Sequence, residues 1–104
     1  MWIDKFGLDC ENKIDRTKSK LGHIFREAEG HVNPTTPTSQ ERYINLFEKI
    51  GNDPSNINPN ILSTFQQQNK DFQGYSKTFR NGKQVWVQTI NGKIINAGVN
   101  KEPK

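Results

Sequence analysis

Two histidines and one arginine lie close together in the first third of the sequence, at His23, Arg26 and His31, and the chain has no other histidine. Imidazole titrates near neutral pH, so a histidine pair can supply a general base and a general acid. A guanidinium beside the pair can neutralise a phosphate through parallel hydrogen bonds. These residue types are the ones that metal-independent cleavage of RNA requires, with the ribose 2′-hydroxyl as nucleophile.

A second set of candidates lies in the last third of the sequence. Lys77 is a candidate catalytic residue, because its ammonium group could neutralise the same phosphate. Tyr75 and Trp86 are candidate substrate-binding residues that would stack on bases. Gln84 and Gln88 would read a base edge or a phosphate oxygen.

Each of these candidates also has an ordinary structural explanation. A histidine on the polar side of a helix is often simply solvated, which is the alternative for His23. For His31 the alternative is a cap at the C-terminal end of a helix. Trp86 would otherwise belong to the core and Lys77 to the solvated surface of a strand, and the sequence leaves these alternatives open.

Two Asn-Gly pairs, Asn81-Gly82 and Asn91-Gly92, divide the segment 73–100 into three runs rich in β-branched and aromatic residues. Asn-Gly favours two-residue hairpin turns, so the segment is predicted to form a three-stranded antiparallel meander. With two such turns, one face of the sheet is predicted to hold Tyr75, Lys77, Phe79, Gln84, Trp86, Gln88, Ile95 and Ala97. The other face, turned toward the helices, is predicted to hold Thr78, Val85, Val87, Thr89 and Ile94.

The segment 18–72 is predicted to be helical. From Lys18 to Glu29 apolar residues recur at i, i+3, i+4 and i+7, which predicts an amphipathic helix ended by Gly30. Glu27 on this helix is a candidate substrate-binding residue, or a base if only one histidine is catalytic. Glu27 lies with His23 and Arg26 on the side of the helix opposite the apolar stripe. These side chains reach the sheet only if that side of the helix lines the rim of a cleft.

Two further helices are predicted from their capping residues. Thr38 with Glu41 forms a capping box for a second helix, which Gly51 ends. Asn58-Pro59 predicts the start of a third, shorter helix.

Composition predicts a single domain with a modest core, since only 31% of the 104 residues are hydrophobic. Its parts are a lead-in at 1–17, helices at 18–72, the meander at 73–100 and a tail at 101–104. The expected fold class is α+β, with the N-terminal helices packed on one face of a small C-terminal antiparallel sheet. The other face of the sheet is expected to stay open.

The net charge of +4 favours polyanionic partners such as nucleic acid, and the excess of basic residues lies in the C-terminal third. A single cysteine excludes an internal disulfide and a cysteine-rich zinc site, and two histidines without an H-x-x-x-H pattern do not favour a structural metal site. No metal or cofactor is therefore expected. No membrane span and no signal peptide is predicted, so export would depend on a carrier.

Two blocks of the sequence resemble a known family. The first is Leu21-Gly-His-Ile-Phe-Arg-Glu-Ala-Glu-Gly-His31, followed by a Thr-Pro-rich loop and a helix that contains Arg42-Tyr-Ile-Asn-Leu46. The second is Gln84-Val-Trp-Val-Gln88, followed by Asn91-Gly-Lys-Ile94 and Gly98-Val-Asn100. In this order they resemble C-terminal toxin domains of bacterial polymorphic toxins, among them contact-dependent growth inhibition proteins.

The resemblance implies a barnase/EndoU/colicin/RelE-like fold and a metal-independent ribonuclease. The domain would be delivered as the C-terminal part of a larger secreted or cell-surface protein. It would act on RNA, with tRNA as the implied target, in the cytoplasm of a target cell, and a cognate immunity protein would block it. By position, the family's catalytic blocks fall on His23, Arg26 and His31, and on Lys77, Trp86 and Gln88.

The sequence departs from the family at two places. Ala97 stands where glycine is usual, and the connection 66–74 differs, which bears on substrate choice because loops beside a cleft commonly set it.

The expected function is an endoribonuclease toxin that leaves a 2′,3′-cyclic phosphate. The alternatives are a non-catalytic RNA-binding module, a DNase, and an immunity or adaptor protein. A DNase would normally require metal ligands that the chain lacks. The basic charge argues against an inhibitor of an RNA-cutting enzyme, because such an inhibitor would mimic the acidic substrate.

Overall fold

The computed structural model describes residues 12–103. The predicted lead-in therefore lies mostly outside the described residues, as does the last residue of the predicted tail. The elements in chain order are β1 (Lys13–Ile14), α1 (Lys18–Ile24), α2 (Pro37–Ile50), α3 (Thr64–Gln67), β2 (Phe72–Thr78), β3 (Gln84–Ile90) and β4 (Lys93–Asn100). Two single 3₁₀ turns, Pro54–Asn56 and Pro59–Ile61, connect α2 to α3.

The described residues form an α+β fold, which confirms the predicted class. The sheet has four strands in the order β1-β4-β3-β2, in which β1 is parallel to β4 and the other pairs are antiparallel. The short β1 was not predicted as a strand. Side-chain hydrogen bonds between Asn12 and Asn52 hold its start to the end of α2.

The first helix is shorter than predicted. It ends at Ile24, and Phe25 leaves it in an extended conformation and pairs with Val32. The ring of Phe25 packs 6.1 Å from that of Phe47 and 6.3 Å from that of Tyr43. Burying this ring turns the chain off the helix axis, so residues 26–30 form a turn in which Gly30 has a φ of +82°.

The second helix begins earlier than predicted. Its N-cap is Thr36, whose hydroxyl accepts from the Ser39 N–H at 3.1 Å, and Pro37 occupies the first turn. The predicted Thr38–Glu41 capping box is therefore wrong, and Glu41 instead binds Arg16. Thr-Pro was the stronger start signal, because proline is pre-organised for the first helical position.

The end of the second helix at Gly51 is confirmed. The predicted third helix is divided in two. Asn58 caps only a single 3₁₀ turn, and Ser63 starts α3 through a capping box with Gln66. Phe65 on α3 is 75% exposed, so this helix contributes little to the core.

The core lies between α2 and one face of the sheet. The helix contributes Ile44, Phe47 and Ile50, and Phe47 is completely buried. The sheet contributes side chains from β3 and β4, which are Val85, Val87, Ile94 and Ala97. The prediction that the valines and Ile94 face the helices is confirmed.

The register of the first hairpin differs from the prediction by one residue. The Phe79 N–H donates to the Lys83 carbonyl at 2.9 Å, so the connection has three residues rather than two. Of Asn81 and Gly82 only the glycine has a positive φ, whereas a two-residue turn of the favoured type requires a positive φ at both positions. The Asn81 side chain accepts from the Lys83 N–H at 2.9 Å and stabilises this wider loop.

This slip changes which residues share a face. Trp86 pairs with Ser76, while Lys77 pairs with Val85 and Tyr75 with Val87. The prediction that Tyr75, Lys77 and Phe79 lie on the Trp86 face is therefore wrong, as is the opposite assignment of Thr78. Tyr75 and Lys77 lie on the face that packs against α2, and Phe79 lies on the extension of that face beyond the strand. Thr78 pairs with Gln84 and lies on the Trp86 face.

The second turn has two residues as predicted, with Asn91 at φ 49° and Gly92 at φ 85°. A bulge follows at Ile95, which stands between the paired residues Ile94 and Asn96. Gln88 therefore pairs with Asn96 and Trp86 with Gly98, so Ile95 and Ala97 are not their partners. Ala97 instead belongs to the core and is fully buried.

A candidate active site at the end of the first helix

The face of the sheet that carries Trp86 is partly covered, contrary to the prediction that it stays open. The turn at 26–31 crosses one half of it. The Gly30 carbonyl accepts from the Val99 N–H and from Trp86 Nε1, both at 3.0 Å. A Cβ on Gly98 would overlap this carbonyl, so glycine is required there for the close approach.

The segment 58–62 crosses the other half of the same face. The Asn58 N–H donates to the Gly74 carbonyl at 2.8 Å, and Gln88 Nε2 donates to the Ile61 carbonyl at 2.9 Å. The backbone approaches closely here too, since a Cβ on Gly74 would lie 2.6 Å from the Asn58 oxygen. The two irregular segments therefore cover this face of the sheet only in part.

The structure brings His23, Arg26 and His31 into one cluster. Arg26 Nη1 lies 3.1 Å from His23 Nδ1, and Arg26 Nη2 lies 3.1 Å from His31 Nε2. Arg26 Nη1 also donates to the His23 carbonyl at 3.0 Å. A continuous helix would have directed His23 and Arg26 away from the apolar stripe and from the sheet. The helix instead ends at Ile24, and Arg26 lies in the turn that folds back over the sheet.

The contacts of the cluster define the neutral tautomers of both rings. His31 Nδ1 lies 3.0 Å from the Ile24 carbonyl, which can only accept, so this nitrogen carries the proton. The lone pair of His31 is therefore on Nε2, facing the guanidinium. His23 accepts at Nδ1 from Arg26, so its proton is on Nε2.

Burial lowers the pKa of His31 below its ordinary value, and the nearby charges of Arg26 and His23 act in the same direction. The carbonyls of Ile24 and Ala97 oppose this shift but do not reverse it. His31 is therefore neutral at pH 7, which is the protonation state that a general base needs.

Trp86 supports this cluster from below. Its ring meets the His31 ring edge-on, with centroids 5.4 Å apart and planes at 79°. Only 7% of its surface is exposed, and its Nε1 is bonded to the Gly30 carbonyl. This position holds His31 and leaves little of the indole for stacking on a base.

The other predicted site residues are divided between the faces. Gln88 is half-buried and lines a cleft with His23. Gln84 is 2% exposed and accepts from Asn100 Nδ2 at 2.9 Å, which is a structural role. Glu27 is exposed in the turn beside Arg26 and lines the cleft on that side.

Tyr75 and Lys77 do not join the cluster, because they lie on the opposite face of the sheet. Tyr75 packs against the core, and the Lys77 ammonium lies 5.5 Å from the centroid of the Phe79 ring. The charge of Lys77 contributes to lowering the pKa of Asp53, after the larger effect of the hydrogen bonds from Ser55. The one-residue slip at the first hairpin is the reason for this separation.

Two clefts flank the Arg26 bridge. The larger, about 1130 Å³, is lined by the turn at 26–31 and by the residues that end β4 and follow it. The smaller, about 440 Å³, lies on the His23 side between α1, α3 and β3–β4. An extended ligand that lies over the bridge would therefore have space on both sides.

Sequence reasoning missed several residues of the smaller cleft. Lys20 had a usable signal, because it lies three positions before His23 and so on the same side of a helix. Gln66 and Asn96 had none. Gln66 reaches the cleft through the separate helix α3, and Asn96 is placed there by the bulge at Ile95.

Comparison of the chain with protein-family models, with curated proteins and with solved structures finds no match. Among residues 12–103 no group of three or more histidine, cysteine, aspartate or glutamate side chains is placed to hold a metal ion. No helix in the described part of the chain is long and apolar enough to cross a membrane.

Proposed function

We propose that the chain is a metal-independent endoribonuclease toxin domain that cleaves RNA by attack of a 2′-hydroxyl group, leaving a 2′,3′-cyclic phosphate. The observation that carries this proposal is the arginine bridge between two histidines, each 3.1 Å from a guanidinium nitrogen, with clefts on both sides. The resemblance of the two sequence blocks to bacterial polymorphic toxins supports the biological setting.

In this mechanism His31 is the general base. Its Nε2 lone pair takes the proton of the 2′-hydroxyl, and the oxygen attacks the adjacent phosphorus. Proton removal at this nitrogen is favoured because Nδ1 is already held by the Ile24 carbonyl, which fixes the ring and stabilises the imidazolium that forms.

Arg26 neutralises the phosphate. Without substrate, its two terminal nitrogens contact the two imidazoles. A phosphate that lies between the rings would therefore contact both of these nitrogens. As the guanidinium turns toward the phosphate oxygens, the lone pair of His31 becomes free. Negative charge that develops on the phosphate oxygens is then opposed by the adjacent cation, and such electrostatic stabilisation is usually the largest contribution to this kind of step.

His23 is the general acid. Once Arg26 has turned toward the phosphate, Nδ1 of His23 is free to take up a proton, and the ring then donates its Nε2 proton to the 5′-oxygen as the bond from phosphorus to that oxygen breaks. Its position on the other side of Arg26 suits a leaving group opposite the attacking oxygen. The products are a cyclic phosphate and a free 5′-hydroxyl, and no metal or cofactor takes part.

The proposed substrate is tRNA in the cytoplasm of a target bacterium, and the proposed partner is a cognate immunity protein that covers the clefts. Delivery would be as the C-terminal part of a larger secreted or cell-surface protein. Production of the domain in bacteria should arrest growth, and the product of one neighbouring gene should relieve the arrest.

The proposal is tested by incubating the purified chain with total RNA in EDTA and sequencing the new ends. Discrete fragments with cyclic phosphates are expected, and His23→Ala or His31→Ala should abolish them while circular dichroism shows an intact fold. Replacing the scissile ribose by 2′-deoxyribose should block cleavage. Cleavage at that substituted position excludes the mechanism, and binding without cleavage indicates an RNA-binding module.

A further inference from the structure

A cleft rich in amide side chains lies beside the proposed general acid. It has a volume of about 440 Å³ and contains Gln66, Gln88 and Asn96 in its wall, with Lys20 and His23 on one edge. Small-molecule sites in proteins begin at about 300 Å³, so a single nucleotide fits a space of this size.

Each of the three amides is fixed by one hydrogen bond to the protein, which defines the chemistry of its other end. Gln88 donates through Nε2 to a backbone carbonyl at 2.9 Å and keeps Oε1 as an acceptor. Asn96 accepts through Oδ1 from the backbone N–H of the next residue at 3.1 Å and keeps Nδ2 as a donor. Gln66 accepts through Oε1 from the Ser63 N–H at 2.9 Å and keeps Nε2 as a donor.

These three free ends have no hydrogen-bond partner among residues 12–103. The wall of the cleft therefore offers one acceptor and two donors that the fold itself does not use. Polar groups that are oriented but unused in a concave site are the usual means by which a pocket fixes its ligand.

We infer that this cleft is a subsite for a pyrimidine base of the RNA, next to the scissile phosphate. Uracil and cytosine each present two acceptors and one donor on the Watson–Crick edge, which complements the cleft. Guanine presents one acceptor and two donors on that edge, and adenine presents one of each. The inference takes its ligand class from the proposed function, since a base is placed there only if the chain binds RNA.

Two features of α1 fit this ligand. Lys20 and His23 are three residues apart and lie on the same side of the helix at the edge of the cleft. The ammonium of Lys20 can contact a phosphate of the bound nucleotide, while His23 remains toward the Arg26 bridge. The amides that would bind the base, the ammonium that would contact its phosphate and the proposed general acid therefore lie next to one another.

The test measures binding separately from cleavage. Octamers of 2′-fluoro-uridine, 2′-fluoro-cytidine and 2′-fluoro-adenosine lack the nucleophile and cannot be cut, so fluorescence anisotropy reports affinity alone. The pyrimidine octamers should bind at least about tenfold tighter than the adenosine octamer, since one well-paired base contact discriminates between bases by about this factor or more.

Two isosteric variants exchange a free donor for an acceptor and keep the orienting bond. Asn96→Asp still accepts from the neighbouring N–H, and Gln66→Glu still closes the capping box with Ser63. Each should reduce the ratio of pyrimidine to adenosine affinity by about tenfold. Asn45→Asp, on the exposed side of α2, adds the same charge and should leave the ratio unchanged.

Equal affinity for the three octamers, absence of binding to all of them, or an unchanged ratio in both variants would overturn the subsite. Thermal unfolding of both variants excludes a loss through misfolding. The outcome is separable from the proposed function: pyrimidine-selective binding without cleavage of ordinary RNA keeps the subsite and rejects the ribonuclease. Cleavage without pyrimidine-selective binding keeps the ribonuclease and rejects the subsite.

Discussion

The two faces of the sheet are built from the same strands but differ in how they are covered. On one face α2 buries a continuous apolar surface around Phe47, Val87 and Ala97, each of which is fully buried. On the other face two irregular segments, 26–31 and 58–62, cross above Trp86 and Gln88 and are held mainly through backbone carbonyls.

This difference separates the side chains that stabilise the fold from the candidate catalytic side chains. A helix that fills one face leaves no space for a ligand, and its contribution is hydrophobic burial. Loops that touch the other face at a few points leave clefts and carry the titratable groups. Substitutions on the first face should therefore change unfolding, and those on the second should change cleavage.

The largest expected effect is on the packed face. Phe47→Ala removes a ring with no exposed surface that stacks against Phe25, so it should lower the free energy of unfolding by about 3–5 kcal/mol. Urea titration followed by tryptophan fluorescence measures this. Cleavage by the fraction that remains folded should be unaltered, and a smaller loss of stability would mean that the core can collapse around the gap.

The second prediction concerns the bridge on the other face. Arg26→Ala should reduce the rate constant for cleavage by about 10²–10³-fold, the usual loss when one charge-stabilising group is removed. Burial is the main cause of the lowered pKa of His31 and would persist, but the variant should raise this pKa somewhat because the smaller contribution of the Arg26 charge is removed. NMR titration of the imidazole measures that change, and Arg80→Ala in the exposed hairpin loop is the matched control.

The third prediction tests how the loop is held. Gly98→Ala places a methyl group against the Gly30 carbonyl and should displace the turn that carries His31, lowering cleavage about 10²-fold. Gly22→Ala is the control, since no atom lies within 4 Å of the added carbon and a helical alanine stabilises by about 0.5–1 kcal/mol. Equal activity of both variants would show that the turn is not a precise support.

The smallest effect should appear in the dependence of stability on pH. Because the folded pKa of His31 is lowered, its contribution to stability is present above the unfolded value of about 6.5 and is lost as pH falls through the folded pKa. Urea unfolding at pH 7.5 and 5.5 should show this loss in the wild type and a smaller one in His31→Gln. Glu41 and Asp53, whose pKa values are also lowered, act at more acidic pH.

Local signals in the sequence predicted most of the fold. The apolar stripe of α2, its end at Gly51 and the two hairpins follow from periodicity and turn chemistry, which depend on residues close together in the chain. The strand β1 could not be predicted, because two residues gain strand geometry only from the neighbouring β4.

The candidate site shows the same division. Its histidines and Arg26 were predicted from residue type, yet the helix that was expected to carry His23 and Arg26 ends at Ile24. The face assignment of Lys77 and Tyr75 was wrong because register is fixed by a single turn. One extra residue in a loop moves every later side chain to the other face.

The amino-acid sequence alone shows which groups are available for the proposed chemistry, since the chain has only two imidazoles and an arginine lies between them. Which side chains come into contact follows only from the folded structure. Burial of Phe25 turned the chain back over the sheet, and a three-residue loop with a bulge at Ile95 selected the partners of Trp86 and Gln88. The physical reason is that these choices depend on packing between distant segments, which no local pattern encodes.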